Sequence, residues 1–333
     1  MMKKFSAEQV VTALKQMWPL KAPGPDGMPP LLFQHFWPMV EGDITYSVLT
    51  WLNLGTLSHP LNHTHITLIP KKKKILEHMT DYHPISLCNV LYNLFSKVLA
   101  NRIKNFLPSI IIEHQSAFAK DCLTMDNILI TFETLHSMKN YKYGPTSYMA
   151  LILDMSKAYN RVEWAFLESL MLKMGFNNRW VGLNVTCIKS VTYSMMVNGE
   201  PKGLINPMRG LRQGEPLSPF LFLLCMEGLH GLIQKAALIG DITGFALCRR
   251  GPKITHLFFV DNSLLFCRAT TRECETVMEL LSKYENVSGQ KVNWEKTTFF
   301  LVGQSIKLRD RLLRGFWGLE RSTIMKNIWD FPR

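Results

Sequence analysis

The segment HLFFVDNSLLF, residues 256–266, is the feature that most constrains the fold. Aromatic and branched apolar residues flank the polar pair Asp261-Asn262, a pattern that predicts two short antiparallel strands joined by a tight turn. Asp and Asn also stabilise turns by hydrogen bonding to their own backbone, so the pair by itself indicates only a turn. The segment therefore predicts a sheet containing a hairpin with a polar tip, and any chemistry at that tip needs support from elsewhere in the chain.

A second apolar segment, YMALILD, ends in Asp154. It predicts a buried strand whose final carboxylate emerges from a sheet on a fixed backbone, as functional acids often do. The alternative is that Asp154 caps a helix formed by the SKAYNRVEW that follows it.

A third segment, RGLRQGEPLSPFLFLLCMEGL, combines a basic glycine-containing loop with a long apolar run. Ser218 is the predicted N-cap and Pro219 lies in the first turn of a helix that is apolar on nearly all sides. The segment predicts a buried helix behind a polar loop, and the alternative is a core helix with an ordinary cap and no function.

Local patterns predict the rest of the N-terminal region. Ser6 and Gln9 form a capping box for an N-terminal helix, which the rigid loop KAPGPDG follows. The segment HTHITLIP then predicts a strand that runs into a lysine cluster, and NVLYNLFSKVLANRIKNFL predicts an amphipathic helix.

Composition indicates a globular chain with an anionic partner. The chain has 333 residues, 47% of them apolar, and carries 38 Lys and Arg against 26 Asp and Glu, a net charge of +12. This length favours two or three subdomains, and the charge favours a polyanion such as nucleic acid. The N-terminus becomes polar after a few residues and the longest apolar run, PFLFLLCM, is far below a membrane span of about 20 residues. We therefore expect an intracellular protein, nuclear or cytoplasmic, without a membrane anchor.

Cysteine and histidine spacing disfavours a structural zinc site. The seven cysteines include no C-x-x-C pair, which argues against a zinc ribbon and against a secreted disulfide framework, and so favours a reducing compartment. His59, His63 and His65 are clustered, but no paired cysteines accompany them.

Eight segments in order resemble the successive blocks of the reverse transcriptases of LINE-type (non-LTR) retrotransposons, with the plant elements most similar. They are KAPGPDG, ITLIPKK, YHPISLCNVLYNLFSKVLANRIK, HQSAFAKDCLTMDNILITFE, LDMSKAYNRVEW, RGLRQGEPLSP, FFVDN and SGQKVNWEKT. The resemblance implies an α+β right-hand polymerase whose palm is an antiparallel sheet backed by helices. It further implies an N-terminal helical extension at 1–60, fingers at 61–145, palm at 146–303, and the start of a thumb or a tail at 304–333.

The resemblance also assigns a metal site. The hairpin tip is similar to the family motif F/Y-A-D-D, whose two acids join the acid that ends the preceding palm strand in holding two divalent metals. Asp154 and Asp261 match two of these ligands, whereas Asn262 replaces the third with a neutral amide. The implied cofactor is Mg²⁺, with Mn²⁺ as an alternative ion. Because an amide oxygen contributes no charge, we expect this site to bind metal weakly.

The resemblance implies further roles around the same site. Tyr159 matches the aromatic gate that would clash with a ribose 2′-hydroxyl, and Gln213 and Gly214 match a loop beside the incoming nucleotide. Lys296 matches a lysine that would protonate the leaving pyrophosphate, with Lys291 as the rival candidate. The run Lys71, Lys72, Lys73 and Lys74 either contacts template phosphates or is a solvated loop.

Several residues depart from the family pattern. His83 and Cys122 stand where the family has arginines near the triphosphate, so two cations are lost at neutral pH. Other replacements are Asp121 for Gly, Asn160 for Asp, Val260 for Ala, and Glu215 for Asp. All of these replacements except Glu215 require only one C-to-T transition on one DNA strand or the other. This pattern suggests the hypothesis that the transposon copy has decayed by deamination of methylated cytosine. The codons of the gene test it, because two or more changes at most positions would reject decay.

These features predict an RNA-directed DNA polymerase, a nucleotidyltransferase, in a degenerate and truncated copy of the element. Its partners would be an RNA template, a DNA primer and deoxynucleoside triphosphates. The alternative is a catalytically silent remnant that binds nucleic acid through its charge. A complete element would be expected to add an endonuclease and an RNase H domain or zinc knuckle, and we find no segment that predicts them.

Overall fold

The computed structural model describes residues 3–55, 59–71, 78, 81–111, 124–140, 147–248, 251–259 and 262–302, with backbone only at 59, 60, 124–127 and 262. The chain divides into two compact units. The first unit contains Met1–Leu107 and Val162–Phe222, and the second contains Pro108–Arg161 and Leu223–Arg333.

The described helices and strands alternate irregularly along the chain, as expected for an α+β protein. The helices are α1 (Ala7–Lys15), α2 (Pro30–His35), α3 (Trp37–Leu54), α4 (Val90–Lys104), α5 (Thr124–Asn140), α6 (Trp164–Lys173), α7 (Asn178–Lys189), α8 (Ser218–Leu238) and α9 (Thr271–Ser288). The strands are β1 (His63–Pro70), β2 (Tyr82–Cys88), β3 (Tyr148–Asp154), β4 (Thr192–Val197), β5 (Glu200–Ile205), β6 (Phe245–Ala246), β7 (Lys253–Ile254), β8 (His256–Phe259), β9 (Asn262–Arg268) and β10 (Thr298–Val302).

The first unit is a sheet of order β2-β1-β4-β5 with helices packed beside it. β1 is antiparallel to β2 and parallel to β4, where His63 lies opposite Thr192. The predicted capping box of Ser6 and Gln9 is confirmed at the start of α1. The predicted helix after β2 is confirmed as α4, which packs against α1 and α3. Its buried residues lie on several faces, so α4 is a core helix of this unit.

The second unit contains an antiparallel sheet of order β10-β3-β9-β8. The predicted strand ending in Asp154 and the two predicted strands of the hairpin are confirmed as β3, β8 and β9. Ala150 and Phe266 face each other in the β3–β9 pair and belong to a core cluster with residues of α5. Asn262 is the first residue of β9 and pairs with Phe259. The prediction that Asn262 belongs to the turn dipeptide is therefore wrong, because the backbone of Asn262 is paired with β8 in the sheet.

The alternative in which Asp154 caps a helix is also wrong. β3 is followed by a short 3₁₀ turn, Tyr159–Arg161, and the next α-helix begins only at Trp164 with Glu163 as its N-cap. Asp154 is therefore a strand-terminal acid and has no capping role.

α8 confirms the predicted buried helix but begins differently from the expectation. Residues 221–226 are fully buried. The carbonyl of Leu217 accepts hydrogen bonds from the amides of Phe220 and Leu221, so Leu217 occupies the N-cap position. The prediction of Ser218 as N-cap is wrong, because Ser218 is already helical and its hydroxyl donates to Glu215. Among the described residues, α8 is long and apolar enough to cross a membrane by length and composition. However, 56% of its apolar 18-residue window is buried inside the protein, as in a core helix.

The KAPGPDG loop approaches the backbone between β2 and α4 too closely for any side chain at Gly24. A Cβ added there would overlap the backbone of Cys88 and Asn89, and Asn89 Oδ1 accepts a hydrogen bond from the Asp26 amide at 3.2 Å. We expect Gly24→Ala to reduce the free energy of unfolding by about 1–3 kcal/mol. The matched control is Gly42→Ala in α3, where a Cβ meets no atom within 4 Å, and we expect it to stabilise by about 0.5–1 kcal/mol. Urea unfolding checks both, and equal effects would contradict the steric explanation.

Candidate active site

Asp154 is held at the end of β3 by the segment that follows α9. The Asn293 amide donates to the Asp154 carbonyl at 2.8 Å, and the Asn293 side chain donates to the Asp154 carboxylate at 3.2 Å. The Ser156 amide donates to the carbonyl of Lys291 at 2.8 Å. The Asp154 side chain is 30% exposed, so a fixed carboxylate remains accessible to solvent and to ligands.

The sheet register places Asn262 directly opposite Asp154. Opposed residues of antiparallel strands have their Cα atoms about 4.5–5.5 Å apart. The substituted position of the family motif therefore lies beside the acid that ends β3. Asp261 and Val260 lie outside the described residues, so the role of Asp261 as a metal ligand stays a prediction.

Lys296 and Lys291, the two candidates for a proton donor, differ in their surroundings. Lys296 Nζ lies 4.0 Å from the Asp154 carboxylate, and its side chain is 72% exposed. Lys291 Nζ forms an ion pair with Glu285 at 3.1 Å. Lys296 is therefore the lysine beside the acid, whereas Lys291 has another ionic partner.

Tyr159 also belongs to the second unit. It begins the 3₁₀ turn five residues after Asp154 and is half-buried, and its neighbour Asn160 is exposed. The Asn160 amide donates to the carbonyl of Lys157 at 3.0 Å, and Lys157 has a left-handed backbone with φ of 51°. The hydrogen-bonded turn thus gives the backbone at Tyr159 a defined conformation close in the chain to Asp154.

Gln213 and Gly214 form an ordered loop in the first unit. The Gln213 carbonyl accepts a hydrogen bond from the Ser86 amide at 3.3 Å, and the Gly214 carbonyl accepts one from Lys21 Nζ at 3.1 Å. Gly214 has φ of 92°, which a residue with a Cβ rarely adopts. A glycine is therefore needed here for the backbone conformation itself.

His83 and Lys71 lie in the same unit. His83 is exposed on β2 and pairs with Ile69 of β1. Lys71 is exposed just after β1, and its amide donates to the Asp81 carbonyl at 2.8 Å. Cys122, Asp121 and Lys72–Lys74 lie outside the described residues, so their roles stay predictions.

A buried ion pair flanks the Gln213–Gly214 loop and was missed by sequence reasoning. Arg212 Nε donates to Glu215 Oε2 at 2.8 Å, with side chains only 2% and 1% exposed. Burial is the largest single effect on the Arg212 pKa and lowers it, but the Glu215 carboxylate together with Tyr92, Cys88 and Tyr193 outweighs burial, so the Arg212 pKa is raised. The available signal was an acid three residues after an arginine, with Leu211 and Leu217 on either side.

The groups around this pair are kept neutral. Burial raises the pKa of Tyr92 well above its usual value, and the Glu215 carboxylate raises it further although Arg212 acts in the opposite direction. Burial likewise raises the pKa of the Cys88 and Cys187 thiols. The ion pair is therefore surrounded by neutral hydrogen-bonding groups.

The described residues fit a divalent metal only in part. Asp154 supplies one accessible carboxylate, the ligand type that Mg²⁺ prefers. No group of three or more metal-ligating side chains occurs in the part of the chain that the structure describes. Asp261 would add the second carboxylate, and Asn262 brings no further charge.

Comparison with known sequences decides the family. The family described as "Reverse transcriptase (RNA-dependent DNA polymerase)" matches residues 69–322. The chain belongs to the reverse transcriptase family. Members of this family generally use divalent metals, in agreement with the carboxylate that ends β3.

Relatives place this reverse transcriptase domain among those of non-LTR retrotransposons. It is 26% identical over 299 residues to the transposon TX1 uncharacterized 149 kDa protein of Xenopus laevis, covering 90% of this chain and 22% of that protein. It is 24% identical over 313 residues to a Pol polyprotein of the type-1 retrotransposable element R2 of Popillia japonica, covering 90% and 40%. A 68-residue stretch is 48% identical to the Arabidopsis thaliana mitochondrial protein AtMg01250, covering 20% and 56%. The chain therefore spans less than two thirds of each of these relatives.

A solved structure confirms the fold class. Apo telomerase from Candida tropicalis, truncated from the C-terminal domain, matches with a TM-score of 0.53 at 13% identity. The match covers 81% of this chain and 56% of that one. The reverse transcriptase domain thus has the right-hand polymerase fold that the sequence predicted.

Proposed function

We propose that this domain is the RNA-directed DNA polymerase of a non-LTR retrotransposon, with impaired catalysis in this copy. The observation that carries the proposal is the register of β3 and β9, in which Asn262 lies directly opposite Asp154. An amide at this position leaves the site one negative charge short of the family pattern. The substrates would be an RNA template, a DNA primer and deoxynucleoside triphosphates.

Asp154 and Asp261 would hold the divalent metals, Mg²⁺ or Mn²⁺. When bound, these ions stabilise charge on the attacking and leaving oxygens of a phosphoryl transfer. Asn293 fixes the Asp154 carboxylate through its 3.2 Å hydrogen bond. This orients a ligand on rigid strand backbone, where positioning matters most for phosphoryl transfer.

Other residues would act on the substrates directly. Lys296, whose ammonium lies 4.0 Å from the Asp154 carboxylate, would donate a proton to the leaving pyrophosphate. Tyr159 would screen the ribose 2′ position by steric contact. The Gln213–Gly214 loop would lie against the template and incoming nucleotide, where the exposed glycine lets backbone approach them.

A second function is supported by the charge of the chain. The net charge of +12 favours binding to nucleic acid even if catalysis is absent, because phosphate neutralisation requires no metal site. This remnant would bind RNA without extending a primer.

Extension of a primed RNA template, in Mg²⁺ and separately in Mn²⁺, tests the proposal. We expect the wild-type chain to bind the primed template with strong salt dependence and to extend it weakly. Asp154→Ala should abolish extension and leave binding nearly unchanged. The matched control is Asp241→Ala, which removes a carboxylate of similar exposure that pairs with Arg272, and it should change neither property.

The possible outcomes separate the two functions. Extension that is lost in Asp154→Ala and retained in Asp241→Ala supports the polymerase. Salt-dependent binding with no extension in either metal, even after the family residues are restored, supports the silent remnant. Failure to bind primed RNA at low salt contradicts both.

A further inference from the structure

The Gln213–Gly214 loop lies between the two partners of the buried ion pair. Arg212 and Glu215 are three residues apart, so their 2.8 Å contact closes a loop whose two remaining residues are Gln213 and Gly214. At the surface, by comparison, the Lys189–Glu168 pair has a cation that is 48% exposed. A buried pair of charges is a poor source of net stability, because desolvation offsets most of the attraction. Its value lies in the geometry that it imposes.

Arg212 is anchored to β1 and the residue before it. Arg212 Nη1 donates to Asn62 Oδ1 at 2.6 Å and to Thr64 Oγ1 at 3.1 Å. Its guanidinium also lies 4.0 Å from the centre of the Tyr92 ring on α4. A planar guanidinium with several fixed partners has one favoured orientation, so Arg212 is locked to both the sheet and α4.

Glu215 uses both carboxylate oxygens. Oε2 accepts from Arg212 and, at 3.3 Å, from the hydroxyl of Ser218, while Oε1 accepts a hydrogen bond from Tyr92. The glutamate side chain therefore reaches Arg212 and Tyr92 at once. Aspartate is one methylene shorter and would not span both partners from the same backbone position.

The loop hydrogen-bonds to the edge of the first sheet. β2 is an edge strand, and the Gln213 carbonyl accepts the hydrogen bond of the Ser86 amide on that edge. Lys21 holds the next carbonyl, that of Gly214, at 3.1 Å. The loop is thus fixed by the ion pair at both ends and by hydrogen bonds to both of its carbonyls.

We propose that Arg212 and Glu215 are positioning residues that hold the Gln213–Gly214 loop in the conformation that receives the template and incoming nucleotide. The inference rests on the proposed function of that loop and adds the device that maintains its shape. The ion pair is too buried to contact substrate, so it acts through the loop. Position 215 holds Glu where the family has Asp, and in this chain the longer side chain reaches the Tyr92 hydroxyl.

Hydrogen exchange of the Ser86 amide reports on the loop, because its acceptor is the Gln213 carbonyl. We expect Arg212→Lys and Glu215→Asp to accelerate this exchange by about tenfold or more, through local opening of the loop. Affinity for a primed RNA template should weaken by about tenfold at fixed salt. The slope of affinity against salt should not change, since no phosphate contact is lost.

The matched control is Arg102→Lys. Arg102 is a second buried arginine of the first unit, and it donates to the carbonyls of Lys3 and Lys4 and to Gln9. We expect Arg102→Lys to lower thermal stability and leave Ser86 exchange and template affinity unchanged. Tyr92→Phe is the milder variant, used if the charged variants fail to fold, and it should accelerate Ser86 exchange in the same direction.

Unchanged Ser86 exchange in folded Arg212→Lys, Glu215→Asp or Tyr92→Phe would overturn the inference. A salt slope reduced by about one would also overturn it, because that result indicates direct phosphate contact. If the wild type does not bind primed RNA, the proposed function fails. Ser86 exchange still decides, in that case, whether the pair holds the loop.

Discussion

Restoring His83→Arg, Cys122→Arg and Asn262→Asp together should increase extension of a primed RNA template by at least about 10²- to 10³-fold over the wild-type chain. That range is the typical cost of losing one preorganised charge stabiliser. Asn262 lies opposite Asp154 and would remove a negative metal anchor there, and the absence of the two family arginines would remove positive charge from the expected triphosphate site. In the proposed polymerase, all three losses would affect the charge distribution of the same transition state.

The three restorations should be strongly non-additive. Asn262→Asp alone should recover little activity, and the triple variant should exceed the product of the separate effects, because groups that act on the same phosphates depend on one another. Single-turnover extension by soluble proteins is the measurement, with Asp154→Ala in the triple background as the blank. Wild-type extension within a few-fold of the triple variant would mean that an amide at position 262 is sufficient.

Arg212→Met should cause a large decrease in the free energy of unfolding. It leaves the Glu215 carboxylate buried without its cation, since both side chains are at most 2% exposed. Breaking a buried pair in this way costs about 3–5 kcal/mol. The effect should appear in urea unfolding as a lower midpoint with an unchanged slope.

The double variant Arg212→Met/Glu215→Met provides the control for this interpretation. Replacing both charges removes the uncompensated carboxylate, so we expect recovery of a substantial part of the stability. Recovery should be incomplete, because Asn62 Oδ1 loses the Arg212 guanidinium and the Tyr92 hydroxyl loses the Glu215 carboxylate. Lys189→Met breaks an exposed pair and should change stability by no more than about 1 kcal/mol. A double variant less stable than Arg212→Met would contradict the explanation.

The strands that carry the candidate site could be predicted from sequence because their signals are local. The apolar runs that end in Asp154 or flank the pair Asp261-Asn262 specify strands without knowledge of their partners. The ordered motifs then predicted the polymerase fold, which the family match and the telomerase structure confirm.

The interactions that fix the site could not be read in the same way. The Arg212–Glu215 network combines Asn62, Thr64 and Tyr92, which are more than 100 residues away in the chain. Asn293 was missed for a related reason, because its contact with Asp154 joins residues 139 apart. The predicted N-cap of α8 was wrong by one residue. The choice between Leu217 and Ser218 depends on backbone hydrogen bonds, which residue type does not reveal.

The parallel pairing of β1 with β4 has a consequence for biosynthesis. His63 and Thr192 pair across 129 residues, so a nascent chain completes β2 long before the ribosome has made β4. Pairing across such separations is slow, because loop closure precedes any gain from contacts. Until β4 arrives, the second side of β1 is an open edge able to pair with another chain. We expect translation that stops between residues 90 and 190 to yield aggregating products, and chains that extend past β5 to be far more soluble.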